Sequence, residues 1–344
     1  MTLNGALDSA VHFGQYAALR SLFGVFHSFS VDQNMRTAAA IGRAYSRIGR
    51  RHRARAIGHL ERSFPSMPRH EIEAIAQRSV SSLFQMFMVE SVAIPRLLTP
   101  TNWPAYVGTR GVQRPLQLLL QDRPLLMVTG HCGNWELLGF VLALLGFRMS
   151  ALARPLDNPW LDRWIRSVRE ARGLEILTKW GATAQVQEIV QAGGRVGFIA
   201  DQNAGDDGLF VPFFGRLASS YKSIGLLAMR YDTPIVAGCA RRIGDAFRYE
   251  LECSDIIMPE EWRDQPDPLF YITARFNRAI EQMIRRAPEQ YLWVHRRWKS
   301  RPPHERAGKP MPQRLTEKLR QLPWMTDDEL DRLSRPVEPI VAPT

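Results

Sequence analysis

A histidine and a glutamate share the segment 131–136, which reads His-Cys-Gly-Asn-Trp-Glu. Asn134 is a good helix N-cap, so we predict that a helix begins there, with His131 in the turn before it and Glu136 in its first turn. From that position the carboxylate of Glu136 can reach back to the imidazole of His131. An imidazole held in one tautomer by a carboxylate is a competent general base near pH 7. The segment therefore predicts base-assisted attack of a hydroxyl on an activated acyl group.

A structural interpretation of the same segment stays open, in which Asn134 caps the helix and Glu136 complements the helix dipole. The sequence has no Gly-x-Ser-x-Gly elbow, phosphate-binding P-loop or His-Glu-x-x-His zinc motif. The other histidines lack carboxylate and cysteine companions, so we predict no metal site. His295, in the aromatic and basic segment 293–299, is either a second functional histidine or part of a surface contact.

Short apolar runs alternate with helical patterns from about residue 105 onward. The runs that we predict as strands are residues 125–129, 149–153, 174–177, 196–200, 235–239 and 247–257. The helices that we predict are residues 135–145, 160–171, 183–191, 224–230 and 269–286. This alternation predicts an α/β fold, with a mostly parallel sheet flanked by helices.

Polar residues follow several of the predicted strands, where ligands bind in an open parallel sheet. The segment 131–136 follows the first of these strands and Arg154 follows the second. Asp201 and Gln202 follow the fourth, and Arg241 and Arg242 follow the fifth. We expect these side chains to gather at one edge of the sheet.

The N-terminal part of the chain reads as helical over residues 31–104. Its basic run, from Arg43 to Arg62, is typical of a solvated helix face or of a surface that touches anionic lipid. Residues 10–31 are rich in apolar side chains but contain too many polar ones for a confident membrane span. They also lack the basic start and the small-residue cleavage site of a signal peptide. They predict either an amphipathic helix at a membrane interface or a helix packed on the core. The proline-rich tail over 302–344 is expected to be peripheral or partly ordered.

The composition is that of a globular protein, with 344 residues, 45% of them hydrophobic and 23% charged. It argues against a disordered chain, a collagen-like repeat and a polytopic membrane protein. The net charge of +11 favours anionic partners, such as phospholipid head groups, phosphorylated substrates or nucleic acid. Three cysteines imply no disulfide framework and suggest a reducing compartment.

Four blocks in a fixed order resemble the bacterial lipid A biosynthesis lauroyl/myristoyl acyltransferase family, within the wider lysophospholipid and glycerolipid acyltransferase group. The segment 131–136 resembles the family's His-x4-Asp/Glu block, and residues 154–159 resemble its arginine block. Asp-Gln-Asn at 201–203 with Val-Pro-Phe-Phe-Gly at 211–215 resembles a third block, and residues 291–299 resemble the fourth. Upstream of these blocks, residues 53–65 and Glu90 also fit the family's helical N-terminal part, so the resemblance covers roughly residues 15 to 302.

The resemblance implies a glycerolipid acyltransferase-like fold and the transfer of a fatty acyl chain to a hydroxyl of a membrane glycolipid. It implies that His131 is the general base, that Glu136 orients it, and that Arg154, Asp201 and Gln202 bind the substrates. The acyl donor would be a thioester of acyl carrier protein or of CoA, with no further cofactor and no metal. Residues 210–214 either line an acyl-chain groove or belong to the core.

The resemblance also implies an organisation and a location. Residues 1–30 would form a membrane-proximal amphipathic segment, residues 31–301 the acyltransferase domain, with its α/β core over 105–301, and residues 302–344 a tail. The expected location is the cytoplasmic face of the bacterial inner membrane, attached peripherally or by the N-terminus, with an anionic membrane surface and no nucleic acid as partner. Two other functions stay open: a lysophospholipid acyltransferase of phospholipid synthesis, and a non-catalytic basic protein that binds membrane or nucleic acid.

Overall fold

The computed structural model describes residues 3–121, 123–178 and 182–335, with side chains described from residue 8 onward. The helices are α1 Leu3–Phe26, α2 Val31–Ile48, α3 Arg50–Ser63, α4 Arg69–Gln85, α5 Ser91–Leu97, α6 Gln113–Leu119, α7 Trp135–Leu144, α8 Pro159–Arg169, α9 Ala182–Gln191, α10 Ser223–Arg230, α11 Pro259–Trp262, α12 Pro268–Arg286, α13 Pro303–Arg306, α14 Gln313–Arg320 and α15 Asp327–Ser334. The strands are β1 Val107–Arg110, β2 Leu125–Thr129, β3 Met149–Ala153, β4 Leu174–Thr178, β5 Arg195–Ile199, β6 Leu209–Phe213, β7 Arg216–Ser220, β8 Ile235–Arg242 and β9 Tyr249–Ile257.

Seven strands form one sheet in the order β1-β9-β8-β2-β5-β3-β4. The strands from β8 to β4 in this order are parallel, while β9 runs antiparallel to β8 and β1 pairs with β9 in parallel. The carboxyl ends of β2, β3, β5 and β4 therefore lie at one edge. This confirms the predicted α/β class with a mostly parallel sheet and a helical N-terminal part.

Helices cover both faces of the sheet, as the alternation of side chains along each strand requires. Leu126 and Val128 of β2 belong to a core cluster that includes Phe276 and Ile280 of α12. Leu125, on the other face, packs in a second cluster with residues of α6 and α7. Both faces of β2 are covered, and its residues 125–128 are all apolar, which is typical of a buried parallel strand.

The first helix packs on α8 through aromatic side chains. The rings of Phe13 and Trp160 lie 5.2 Å apart, and those of Phe23 and Trp164 lie 5.4 Å apart. On its far side α1 leaves apolar side chains exposed, namely Val11, Leu22 and Val25. None of the described helices is long and apolar enough to cross a membrane.

Two segments differ from the sequence-based expectations. Residues 303–334 form three helices, and Leu319 and Leu330 are buried in the main core, so this part of the tail is packed rather than peripheral. Its last residues, 336–344, lie outside the described residues. The segment 210–214 forms most of strand β6, whose Val211 and Phe213 are fully buried in the core. Of its two interpretations, the core position is the one observed.

Candidate active site

The turn between β2 and α7 carries His131 and lies in close contact with β8. The backbone N–H of Asn134 donates to the carbonyl of Ala240 at 2.7 Å. Gly133 adopts a φ of +64°, and a Cβ at this position would lie 2.2 Å from the same carbonyl oxygen. Glycine is therefore required here, both for the left-handed backbone and for the close approach. As predicted, Asn134 caps α7, with its Oδ1 accepting from the N–H of Leu137 at 2.8 Å.

Asp201, directly after Ala200 at the end of β5, binds His131 at two points. Its Oδ1 accepts a hydrogen bond from Nδ1 of His131 at 2.7 Å, and its Oδ2 accepts from the backbone N–H of His131 at 3.0 Å. The Asp201 side chain is 1% exposed and that of His131 is 14% exposed. Both the orientation and the position of the imidazole are thus fixed by one buried carboxylate.

The proton affinities of the two groups are set by their contact. Burial alone lowers the pKa of His131, but the charge and the hydrogen bond of Asp201 outweigh burial and raise it above its ordinary value. Burial alone raises the pKa of Asp201, but the charge and the hydrogen bonds of His131 lower it to about 2. Asp201 is therefore ionised at neutral pH and stabilises the protonated imidazole.

The second ring nitrogen of His131 faces the open side of the site. With Nδ1 donating to Asp201, Nε2 carries the lone pair that can accept a proton. The side-chain nitrogen of Gln202 lies 3.5 Å from Nε2, and the ring of Trp135 packs edge-to-face on the imidazole at 4.8 Å. An imidazole held in this way can act chemically as a general base through Nε2.

Glu136 does not make the contact that the sequence predicts for it. Its two oxygens accept hydrogen bonds from Nε and Nη2 of Arg169, at 2.9 and 2.6 Å. The planar guanidinium at the end of α8 matches both carboxylate oxygens, whereas Nδ1 of His131 is already bound by Asp201. The carboxylate that orients His131 is thus Asp201, and Glu136 forms a bidentate ion pair beside it. Nothing in the spacing of the sequence pointed to Arg169.

The arginines predicted at the sheet edge separate into different roles. Arg154 follows β3 and lines the mouth of the cavity described below; its side chain is exposed, 3.7 Å from Asp157. Arg241 pairs with Glu250 at 2.8 Å on the neighbouring strand β9. Arg242 is buried, and its Nη1 donates to Glu90 at 2.6 Å. The structure therefore brings His131, Asp201 and Gln202 together, places Arg154 at the mouth, and turns Arg242 away from it.

An apolar cavity of about 1130 Å³ begins at His131 and runs between the sheet and helices α6, α7 and α8. Its floor includes a row of in-register residues across five strands: Val236, Met127, Gly197, Ala151 and Ile176. The middle of this row is occupied by the two smallest side chains, and a Cβ at Gly197 would meet nothing closer than 3.8 Å. The cavity is larger than the usual range for small-molecule sites, and its apolar lining suits a long alkyl chain.

The family described as bacterial lipid A biosynthesis acyltransferase matches residues 21–300. This chain belongs to that family. It is 26% identical to the lipid A biosynthesis lauroyltransferase of Escherichia coli (strain K12), over 71% of this chain and 78% of the relative. It is 27% identical to the palmitoleoyltransferase of the same organism, with the same coverage, and 24% identical to the myristoyltransferase, over 78% and 81%. The resemblance read from the four blocks is confirmed, and the protein is an acyltransferase.

The fourth block of this acyltransferase, residues 291–299, packs beside the site, and its Leu292 lines the cavity. The N–H of Leu292 donates to the carbonyl of His131 at 3.1 Å, which holds the turn between β2 and α7 in place. Arg297 is buried, and its Nη2 donates to Ser220 at 2.6 Å and to Asn277 at 2.9 Å. Nε2 of His295 lies 3.4 Å from the backbone nitrogen of Asn203, next to the site. Of the two interpretations of this segment, a surface contact is not observed for Trp293, Arg297 and Trp298, which are buried, whereas Arg296 and Lys299 are exposed.

Proposed function

We propose that this acyltransferase moves a fatty acyl chain from a thioester donor to a hydroxyl of a lipid A precursor-like membrane glycolipid. The donor is an acyl chain on acyl carrier protein or on CoA. One observation carries the proposal: a histidine with a fixed tautomer stands at the mouth of an apolar cavity of about 1130 Å³. The names of the relatives, which are lipid A acyltransferases for lauroyl, palmitoleoyl and myristoyl groups, support the same acceptor class.

In the proposed mechanism, Nε2 of His131 takes the proton of the acceptor hydroxyl as its oxygen attacks the thioester carbonyl carbon. The C–O bond forms and the tetrahedral intermediate then breaks its C–S bond. The imidazolium returns the proton to the leaving thiolate, so the base is regenerated. Asp201 stabilises the imidazolium between the two proton transfers, a contact that is stronger in the charged state than in the neutral one. A thioester is already activated, so a positioned base supplies much of the required rate enhancement.

The acyl chain of the donor lies in the apolar cavity in this proposal. Its carbonyl carbon sits at His131 and its methylenes run toward the row that contains Gly197 and Ala151. Burial of each methylene contributes roughly 0.8 kcal/mol, so the cavity holds the donor mainly through the hydrophobic effect. This binding orients the reacting carbonyl without requiring polar groups along the chain.

The polar residues at the mouth hold the acceptor and the donor head group in this proposal. Arg154 is exposed and offers a guanidinium fork that suits the phosphates of a lipid A precursor. Gln202 lies beside Nε2 of His131 and is placed to contact the attacking hydroxyl. The Glu136–Arg169 pair lines the cavity beside Trp135.

The proposed location is the cytoplasmic face of the inner membrane, with peripheral attachment. The outer side of α1 presents Val11, Leu22 and Val25, which are 57%, 56% and 66% exposed. Exposed arginines on α2 and α3, such as Arg43 and Arg51, add positive charge that suits an anionic membrane surface. Apolar side chains near a cationic surface are typical of interfacial binding.

The proposal is tested by mass spectrometry of lipid products from the purified protein. Acyl carrier protein and CoA donors are offered with two acceptors, a lipid A precursor and a lysophospholipid, to the wild type, His131→Ala and His70→Ala. His70 is exposed and remote from the site, so its variant is a matched control. We expect the precursor to gain one acyl chain with the wild type and with His70→Ala, and no product with His131→Ala.

Two results would contradict the proposal. Acylation of the lysophospholipid but not of the precursor would move the enzyme to phospholipid synthesis. Near-normal transfer by His131→Ala would remove the general base from the mechanism.

A further inference from the structure

A buried ion pair lies behind the catalytic turn, outside the acyl cavity. Nη1 of Arg242 donates to Oε1 of Glu90 at 2.6 Å, and the two side chains are 8% and 2% exposed. Arg242 also donates to the hydroxyl of Ser82 at 2.9 Å. A buried pair of this kind adds little net stability compared with apolar residues. Its position next to the site therefore calls for an explanation other than stability.

Glu90 reaches this position because the helix is locally widened. Residues Met86–Glu90 form one turn of π-helix between α4 and α5, and such turns are frequent at functional sites. The widened turn buries Met86, Val89 and Glu90 and leaves Phe87 on the outside. Phe87 contacts Trp135 edge-to-face at 6.2 Å, and Trp135 contacts His131 at 4.8 Å.

Glu90 contacts the turn that carries His131 directly, and Arg242 is linked to it through Gln290. Oε2 of Glu90 accepts from Nδ2 of Asn134 at 2.9 Å, while Oδ1 of Asn134 caps α7. The backbone N–H and carbonyl of Arg242 bind the side chain of Gln290, both at 2.9 Å. The carbonyl of Gln290 in turn accepts from the N–H of Gly133 at 3.1 Å. Hydrogen bonds thus hold both residues that follow Cys132: Gly133 is bound by Gln290, and Asn134 is bound by Glu90.

We propose that Glu90 and Arg242 are positioning residues for His131, acting through Asn134 and Gly133. The ion pair fixes the orientation of the Asn134 amide, and this fixes where the turn enters α7. The turn then presents Nδ1 and the backbone N–H of His131 to Asp201 together. The kinetic part of this inference rests on the proposed function, whereas the geometric part does not.

The test exchanges the donor and the acceptor between Glu90 and Asn134. Glu90→Gln removes the charge that faces Arg242, and Asn134→Asp places a second carboxylate against Glu90. In the double variant, the amide of residue 90 donates to the carboxylate of residue 134, and the cluster around Arg242 keeps one negative charge in total. Asp is as good an N-cap as Asn, so the start of α7 is preserved.

We expect each single variant to lose about tenfold or more in kcat, with the KM for the acyl donor nearly unchanged, because small misplacements of a base are costly. The double variant should recover to within about threefold of the wild type, as expected for directly coupled residues. The pKa of His131, measured by NMR of the imidazole, should depart from the wild-type value in both single variants and return to it in the double variant. A merely structural role would lower the melting temperature but would leave the kcat of the folded single variants unchanged, with nothing for the double variant to recover.

The inference is overturned if the folded single variants keep the wild-type kcat and the wild-type pKa of His131. It is also overturned if the double variant is no better than the worse single variant. A wild type that transfers no acyl chain, but whose His131 pKa still follows the exchange, would refute the proposed function and support the positioning role.

Discussion

Two regions bring a carboxylate close to His131, and they differ in what they bind. The loop after β5 carries Asp201, whose side chain is 1% exposed and hydrogen-bonded to the imidazole. The first turn of α7 carries Glu136, whose side chain is 13% exposed and bound to Arg169. Glu136 is the nearer of the two in sequence, yet Asp201 makes the contact. Adjacent strand ends in a parallel sheet bring residues together more reliably than a short spacing along the chain.

The largest expected effect from either region is that of Asp201→Asn. An amide cannot stabilise the imidazolium, and its N–H group favours the wrong tautomer of His131. A comparable loss in another enzyme class reduces kcat by roughly ten thousandfold, and we expect on the order of a hundredfold to ten thousandfold here. Single-turnover acyl transfer, together with circular dichroism to verify folding, measures this effect.

The matched control is Asp207→Asn, an exposed aspartate in the same loop, which should retain full activity. If Asp201→Asn is folded and keeps more than about a tenth of the wild-type kcat, Asp201 is not the orienting group.

A smaller loss of catalytic activity is expected when the ion pair between Glu136 and Arg169 is broken. Glu136→Gln and Arg169→Met should each reduce kcat/KM by roughly tenfold to a hundredfold, because either change leaves a charge without its partner at the cavity mouth. The double variant should be no worse than the worse single variant, since neither charge is then left alone. Losses that add independently in this cycle would show that the two residues act separately.

The smallest effect on catalysis should come from a change that touches neither carboxylate. Gly197→Leu fills the floor of the cavity, and each methylene that it excludes costs roughly 0.8 kcal/mol, or about fourfold in donor selectivity. Long-chain donors should therefore lose activity relative to short ones, while rates with the shortest donors stay the same. A series of donors of increasing length, with Gly197→Ala as the conservative control, measures this. A loss that is equal for all chain lengths would remove the acyl chain from this part of the cavity.

Much of the fold followed from the sequence because the central strands are apolar and separated by amphipathic helices. Strands β2 and β3 begin and end where predicted, and α7 differs by one residue at its end. Strand β1 was missed because only Val107 of its four residues is buried. The tail was misjudged because its prolines begin helices instead of preventing them, as Pro303 does at the start of α13.

The sequence predicted which residues form the site, but it did not predict which side chains contact each other there. His131, Asp201 and Gln202 were found as polar residues at strand ends, since that rule depends only on the order of the strands. The partner of Glu136 was not predictable, because Arg169 lies at the end of a helix with no distinguishing neighbour. The π-helical turn that carries Glu90 was not predictable from the sequence either, because a single widened turn leaves the apolar periodicity of a helix nearly intact.

The most direct test of the account is an NMR titration of the His131 imidazole in the wild type, Asp201→Asn and Glu136→Gln. The pKa of His131 is raised above 6.5 by Asp201, so the neutral base is present above that raised value and is lost as the pH falls through it. We expect Asp201→Asn to lower this pKa strongly and Glu136→Gln to lower it only slightly, with the acid limb of kcat/KM moving to lower pH in parallel. A larger decrease in Glu136→Gln than in Asp201→Asn would contradict the account and return the orienting role to Glu136.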